Sequence, residues 1–274
     1  MLHPQLTPQS IAETGLQIGL NSAAIETVLS HLPNDEEIRR QYALLYQDPE
    51  EFFKENDTAS DCCQRYLALF TAFALLAHKA YAQRGISETV WTDTMHDIAR
   101  WSESFVAREG VYGVSVNIAR WLARHIRLEL FALGELQFEP LKKADFPLPD
   151  SMQHLPVLNV HIPKGADLSR RSESYRQALA FFGVDEAVAT CHSWLLSPAL
   201  KPLLSPASRI LAFQSEYTIA CLDEKSRQAE ERIFGNLQAD PALYPATTSL
   251  QHHAREALLS GKTLPAACGW LHLL

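Results

Sequence analysis

An α+β fold is predicted, in which a helical N-terminal part precedes a mixed α/β part. Two observations predict it. Up to Leu133 the apolar residues recur at three- and four-residue steps, the spacing of one helix face; from Gly134 they gather in short runs punctuated by Pro and Gly, as strands and turns do. That change of period divides the chain into a helical domain over 1–133 and an α/β domain over 134–274, the first packed on the second.

The helical part is justified element by element. Thr7-Pro8 places a capping residue before a proline in the first turn, and Asn21 caps a second short helix that ends near Leu32. Asn34 is followed by Asp35, Glu36 and Glu37, whose charges suit the positive end of a helix running to about Tyr46. Another begins near Pro49. From Asp57 or Ser60 to Gly85, the residues Cys63, Leu67, Phe70, Ala74, Ala77 and Tyr81 form a dense stripe, so this helix is expected to be buried. Ser87 to Arg108 carries Trp91, Met95, Ile98, Trp101 and Phe105 on one face. Val114 to Phe131 carries Ile118, Trp121, Leu122, His125 and Leu128. Three long helices with matching stripes make a bundle, and the three tryptophans read as its packing.

Beyond Gly134, Glu135-Leu136-Gln137-Phe138-Glu139 alternates with period two, the pattern of a half-buried strand. Lys142 to Pro156 is a proline-rich connection. Val157 to Ile162 is a strand closed by Pro163, Lys164 to Asp167 a turn, Leu168 to Phe182 a helix, and Val188 to Leu196 a second strand: a parallel crossover. Short helices follow over Pro198 to Leu204 and Ser208 to Glu216. Tyr217 to Leu222 reads as a third central strand, Ser226 to Phe234 and Leu250 to Leu259 as helices, and Gly269 to Leu274 as a closing strand.

Composition excludes several classes of function. With 274 residues, 47% of them hydrophobic, the chain can bury one large core or two modest ones. A formal charge of −8 with no basic stripe argues against nucleic acid or an anionic membrane as partner. The longest apolar stretch, Tyr66 to Ala77, falls short of the roughly 20 residues that span a bilayer. No secretory signal opens the chain, so residence in the cytoplasm is expected. Five cysteines without a CxxC pair read as reduced thiols, and eleven histidines without an HExxH spacing predict no metal site. A small-molecule ligand is the expected partner, because the crevice outside the carboxyl ends of parallel strands is where such ligands bind. His161 stands at one such end and Cys191-His192-Ser193-Trp194 in the next strand.

The stretches Leu136-Gln137-Phe138-Glu139, Val160-His161-Ile162-Pro163, Cys191-His192-Ser193-Trp194-Leu195-Leu196 and Ile233-Phe234-Gly235, in this order and spacing, resemble a bacterial acyltransferase-domain family. Its members join a helical N-terminal domain to a GNAT-like C-terminal domain, and the resemblance covers most of the chain. It implies transfer of an acyl group from acyl-CoA, as co-substrate, to an amine. In GNAT enzymes a loop of the form [RQ]xxGx[GA] holds the pyrophosphate of coenzyme A on backbone N–H groups. The corresponding stretch here, Lys164 to Arg171, has one glycine and carries Asp167. Lys164, Gly165, Ser169, Arg170 and Arg171 are the residues the resemblance assigns to the phosphates, with Ser169 as the helix cap. The tyrosine that reprotonates the departing thiolate falls on Phe213, leaving Tyr217, four residues on, as substitute or as a core residue.

His161 and His192 are the candidate bases, since a neutral imidazole accepts a proton near pH 7. A plainer role for His161 is a hydrogen bond to a loop carbonyl. Neighbouring strand residues point to opposite faces, so His192 does not activate Ser193, and Cys191 reads as a small core residue. Trp194 shares a face with His192 and is either a ligand platform or core. Gln137 and Glu139 share a face and either line a pocket or are solvated. Gln214 and Arg232, on helices near the family-like stretches, are the remaining substrate-binding candidates. The rival to an acyltransferase is a non-catalytic protein that binds a small metabolite on a degenerate form of the same fold.

Overall fold

The computed structural model describes residues 5–274; the reading of the first residues as free of a secretory signal therefore lies largely outside the described residues. Two compact units divide the chain, Met1–Leu133 and Gly134–Leu274.

The first unit holds seven α-helices among its described residues: α1 Pro8–Gln17, α2 Ser22–Ser30, α3 Asp35–Gln47, α4 Pro49–Asn56, α5 Cys62–Gln83, α6 Glu88–Glu109 and α7 Val116–Ile126. Thr7, Asn21, Asn34 and Ser87 each accept the backbone N–H three residues on, satisfying a donor that the first helical turn leaves unpaired. Helix α5 is the axis. Every residue from Tyr66 to Ala74 is buried, and α1, α2, α3, α6 and α7 all pack on it. The bundle expected from its apolar stripe is present.

The third long helix is shorter than its stripe. Helix α7 stops at Ile126 because Leu128 adopts a left-handed backbone, φ 58°, and Glu129 N–H reaches back to Arg124 O. This is a Schellman closure with leucine where glycine is usual. Burial of the Leu128 side chain offsets the strain, so the sequence carries no punctuation there. Phe131–Leu133 then forms strand β1.

Trp101 and Trp121 do more than pack. Their indole N–H groups both donate to Asp97 Oδ2, at 3.2 and 3.0 Å, while Arg100 holds Oδ1 at 2.6 Å and His125 Nε2 lies 3.3 Å from Oδ2. Burial pushes the Asp97 carboxyl up, but His125, Trp121 and Arg100 outweigh it and hold the group well below the usual carboxylate range.

In the second unit the strands β2 Leu136–Leu141, β3 Val157–His161, β4 Ala187–Ser193, β5 Thr218–Asp223 and β6 Ala266–Leu273 run in the order β2-β3-β4-β6-β5. Only β3 and β4 are parallel, joined by α8 Arg171–Phe182 as expected. Helices α9 Arg209–Gln214, α10 Gln228–Phe234 and α11 Ser249–Leu259 complete the unit. Two strands exchange the places expected of them. The C-terminal strand β6 is central, whereas β5, read as central, is the exposed edge. The run Tyr217 to Leu222 is apolar at every position but Thr218, so it reads as central although its side chains are mostly exposed on the edge. A third departure is Trp194–Leu196, which leaves the sheet as a 3₁₀ turn capped by Ser193.

Replacing Asp97 by Ala leaves Arg100 and His125 facing a void and is expected to destabilise the fold by about 3–5 kcal/mol in denaturant titration followed by tryptophan fluorescence. The depressed carboxyl stabilises fully above about pH 5, and that contribution fades as the pH falls below about 4, so Asp97→Asn flattens the acid limb of stability against pH.

Candidate functional site

The site is built on one face of the sheet. Cross-strand pairing sets Gln137 opposite His161 and Glu139 opposite Asn159; the parallel ladder sets Asn159 beside Thr190; and β6 sets Cys268 opposite His192 and Trp270 opposite Thr190. Opposed residues share a face, so Gln137, Glu139, Asn159, His161, Thr190 and His192 form a polar array beside Cys268 and Trp270. The other face is apolar: Phe138 meets Tyr175 of α8 edge-on, and Cys191 is buried with its thiol pushed up by desolvation.

The β3–β4 ladder pairs Val157 with Val188, Leu158 with Ala189 and Asn159 with Thr190, and goes no further. Each strand continues on its outer partner, β3 along β2 to His161 and β4 along β6 to Ser193. The two carboxyl ends therefore part, with a histidine on each. His161 Nε2 lies 3.2 Å from Glu139 Oε2 and 3.1 Å from Asn159 Nδ2. His192 is exposed, with Nε2 3.4 Å from Asp223 Oδ2. Two histidines, each beside a carboxylate, thus flank one gap.

Asp223 had no signal in the sequence. It reaches this face because the β5–β6 register shifts by one residue between Ile219 and Cys221. Asn159 and Thr190 were legible, being two residues before each histidine on the same strand.

The loop after β3 departs from its expected use. Gly165, at φ 87°, is the third residue of a turn closed by Ala166 N–H to Pro163 O, a type II geometry that requires glycine. Asp167, not Ser169, caps the next turn: it accepts Ser169 N–H at 3.1 Å and the Ser169 hydroxyl at 2.7 Å. Those bonds and Arg209 at the start of α9, 2.9 Å away, hold its carboxyl below the ordinary range, so its charge is balanced by a neighbouring helix. Arg171 grips Glu216 and also donates to Leu168 O. Arg170 pairs with Glu135, which also accepts Asp167 N–H. Lys164 is exposed and makes no ion pair among the described residues.

Four candidates lie elsewhere. Tyr217 precedes β5 and is buried on the α8 side, its hydroxyl 3.2 Å from that of Tyr175; burial pushes it well above the normal tyrosine range. Trp194 does not share a strand face with His192, since the 3₁₀ turn carries it toward the core of Ala229, Phe234 and Tyr244. Gln214 is buried and donates to Leu195 O and Ser197 O, bracing the chain after β4. Arg232 is exposed on α10. Ser193 is buried with its Oγ accepting Leu195 N–H. Among the described residues no three His, Cys, Asp or Glu side chains gather as a metal-binding group, and no helix is long and apolar enough to cross a membrane.

Residues 130–271 match the family described as GNAT-like C-terminal domain, and residues 9–128 that described as N-acyltransferase N-terminal domain. Solved structures share the fold along nearly the whole chain. One is an acyltransferase in complex with decanoyl-CoA and teicoplanin: 18% identity, TM-score 0.78, over 97% of this chain and 88% of that one. A mutant acyltransferase in complex with octanoyl-CoA has 17% identity and TM-score 0.79 over the same shares, 97% and 88%. An acyltransferase in complex with CoA and 10C-teicoplanin has 17% identity and TM-score 0.77 over 100% and 90%. At these identities the likeness is one of fold. No curated protein matches this chain in sequence.

The loop contacts separate two arginines from a lysine. Arg171→Ala, which strands Glu216, is expected to cost about 1–3 kcal/mol in thermal unfolding, whereas Lys164→Ala stays within about 0.5 kcal/mol.

Proposed function

From its membership of the GNAT-like C-terminal domain family, to which this chain belongs through residues 130–271, we propose that it transfers an acyl group from an acyl-CoA thioester to an amine, in the gap where β3 and β4 part. The early end of their ladder is the observation that carries this reading. Beyond Asn159 and Thr190 the facing strand edges have backbone N–H and C=O groups with no ladder partner, and such groups must be satisfied. The pantetheine arm of coenzyme A is an extended chain with two amides. Lying between the strands, it would pair with those edges as an added strand does and bring the thioester to the two histidines.

In this reading His192 is the base. It is exposed, on the face open to an incoming amine, and Asp223 at 3.4 Å is placed to orient its ring. The imidazole takes the amine proton as nitrogen attacks the thioester carbonyl. The new C–N bond forms, the C–S bond breaks, and the imidazolium proton is available to the departing thiolate. His161, engaged by Glu139 and Asn159, holds the acceptor side of the gap. Tyr217, on the opposite side of the sheet, takes no part. The phosphates would meet Lys164, exposed and without an ion pair among the described residues, and Arg170, whose ion pair with Glu135 is exposed enough to exchange. Arg171 remains a brace.

Decanoyl-CoA at about a hundred times its Kd should stabilise the protein by roughly 2.7 kcal/mol in a thermal shift experiment. Thiol release from decanoyl-CoA in the presence of simple primary amines should exceed the rate without amine. His192→Ala is expected to lower that release about 10²- to 10⁴-fold while keeping the thermal shift. Absence of both shift and release across acetyl, octanoyl and decanoyl esters would overturn the assignment and leave a non-catalytic metabolite-binding protein.

A further inference from the structure

The polar row holding His161 and His192 continues across the sheet as two thiols. Strand β6 places Cys268 opposite His192, and β5 places Cys221 opposite Cys268. The one-residue register shift decides this. Ahead of it Thr218 faces Trp270 and Ile219 faces Gly269; beyond it Cys221 faces Cys268 and Asp223 faces Ala266. Were the first register continued, Ala220 would oppose Cys268, and Cys221 would turn to the other face. The extra residue therefore brings two thiols to one face, one place along from the candidate base.

Directly opposed residues of antiparallel strands have Cα atoms about 4.5–5.5 Å apart, inside the span of about 4.4–6.8 Å that a disulfide bridges. Both cysteines are free; Cys221 is exposed on the edge strand and Cys268 is partly buried. Burial and the hydrogen bond with Cys221 push the Cys268 thiol up to about 12, which makes it the resolving member and Cys221 the one that meets an oxidant first. The remaining thiols are poorly placed. Cys191 is buried on the opposite face. Cys62 and Cys63, with sulfurs 3.9 Å apart, are consecutive residues of α5, and Cα atoms about 3.8 Å apart across a trans peptide fall below the disulfide span.

We propose that Cys221 and Cys268 are a redox-sensitive dithiol that closes into a cross-strand disulfide beside His192 when a peroxide reaches the open edge of the sheet. The Cys221 thiolate attacks the O–O bond, giving a sulfenic acid and one water. The Cys268 sulfur then displaces the hydroxyl as a second water while the S–S bond forms. Two thiol hydrogens and two electrons pass to the peroxide, which is reduced. The chemistry is independent of the acyltransferase reading.

Treatment of the full-length protein with hydrogen peroxide, alkylation of the remaining thiols and peptide mapping tests it. A linked peptide pair joining Cys221 to Cys268, about 2 Da lighter than the two reduced peptides together, is expected. It should revert with dithiothreitol and persist in the Cys62→Ser/Cys63→Ser variant. Cys221→Ser, an exposed change, should abolish it. Oxidation of Cys221 to sulfinic acid without the link, or linkage elsewhere, would overturn the proposal, and the wild-type map alone suffices to show either.

Discussion

A parallel ladder three residue pairs long governs the second unit. Parallel strands need a crossover, and α8 supplies it by burying Tyr175, Ala178 and Leu179 on one side of the unit. That side is then fully used by packing, with Phe138 and Cys191 beneath it. The hydrophilic alternates of the same strands, Glu139, Asn159, His161, Thr190 and His192, fall on the other face by the period of two. The ladder's early end is tolerated because β2 and β6 hold the two strands from outside. One constraint thus produces both the polar array and the gap between the histidines.

The loop after β3 shows how charge is apportioned around that gap. Arg170 and Arg171 are neighbours with different duties. The Arg171–Glu216 pair, 15% and 30% exposed at the side chains, also ties Leu168 O and fixes the start of α8. The Arg170–Glu135 pair, 67% and 25% exposed, is the kind of surface contact worth only about 0–1 kcal/mol, so a stronger anion can displace it. Glu135 occupies Arg170 and Asp167 N–H together, as a phosphate oxygen would. A loop without the second glycine has its donors satisfied by two carboxylates, its own Asp167 and Glu135 from the turn before β2.

Much of this was legible in the sequence, for physical reasons. Helix starts were readable because Thr7, Asn21, Asn34 and Ser87 announce a local hydrogen bond that needs no tertiary context. The β3–α8–β4 unit was readable from Pro163 and the change of period. What failed depended on partners far along the chain. The end of α7 at a left-handed leucine is set by burial. The exchange of β5 and β6 between edge and centre depends on which strand pairs with β4. Trp194 looked like a strand residue because nothing local shows that Ser193 caps a 3₁₀ turn. Asp223 and the opposed thiols were invisible, since both rest on a register shift that only pairing with β6 creates.

Three of the His–carboxylate pairs form a series of rising solvent exposure. Asp97 and His125 are 3% and 0% exposed, and two indoles and a guanidinium complete the carboxylate's shell. Removing any member of that shell leaves a buried polar group without its partner, so the pair is a brace. Glu139 and His161, at 16% and 21%, share their face with Asn159 and Thr190 and retain partial access. His192 and Asp223, at 52% and 39%, are open to solvent, and their 3.4 Å separation is loose. A base that must accept a proton and later release it belongs at the open end of such a series. There the carboxylate orients the ring and leaves it open to solvent, which is the physical ground for proposing His192 as the base in preference to the better-packed histidines.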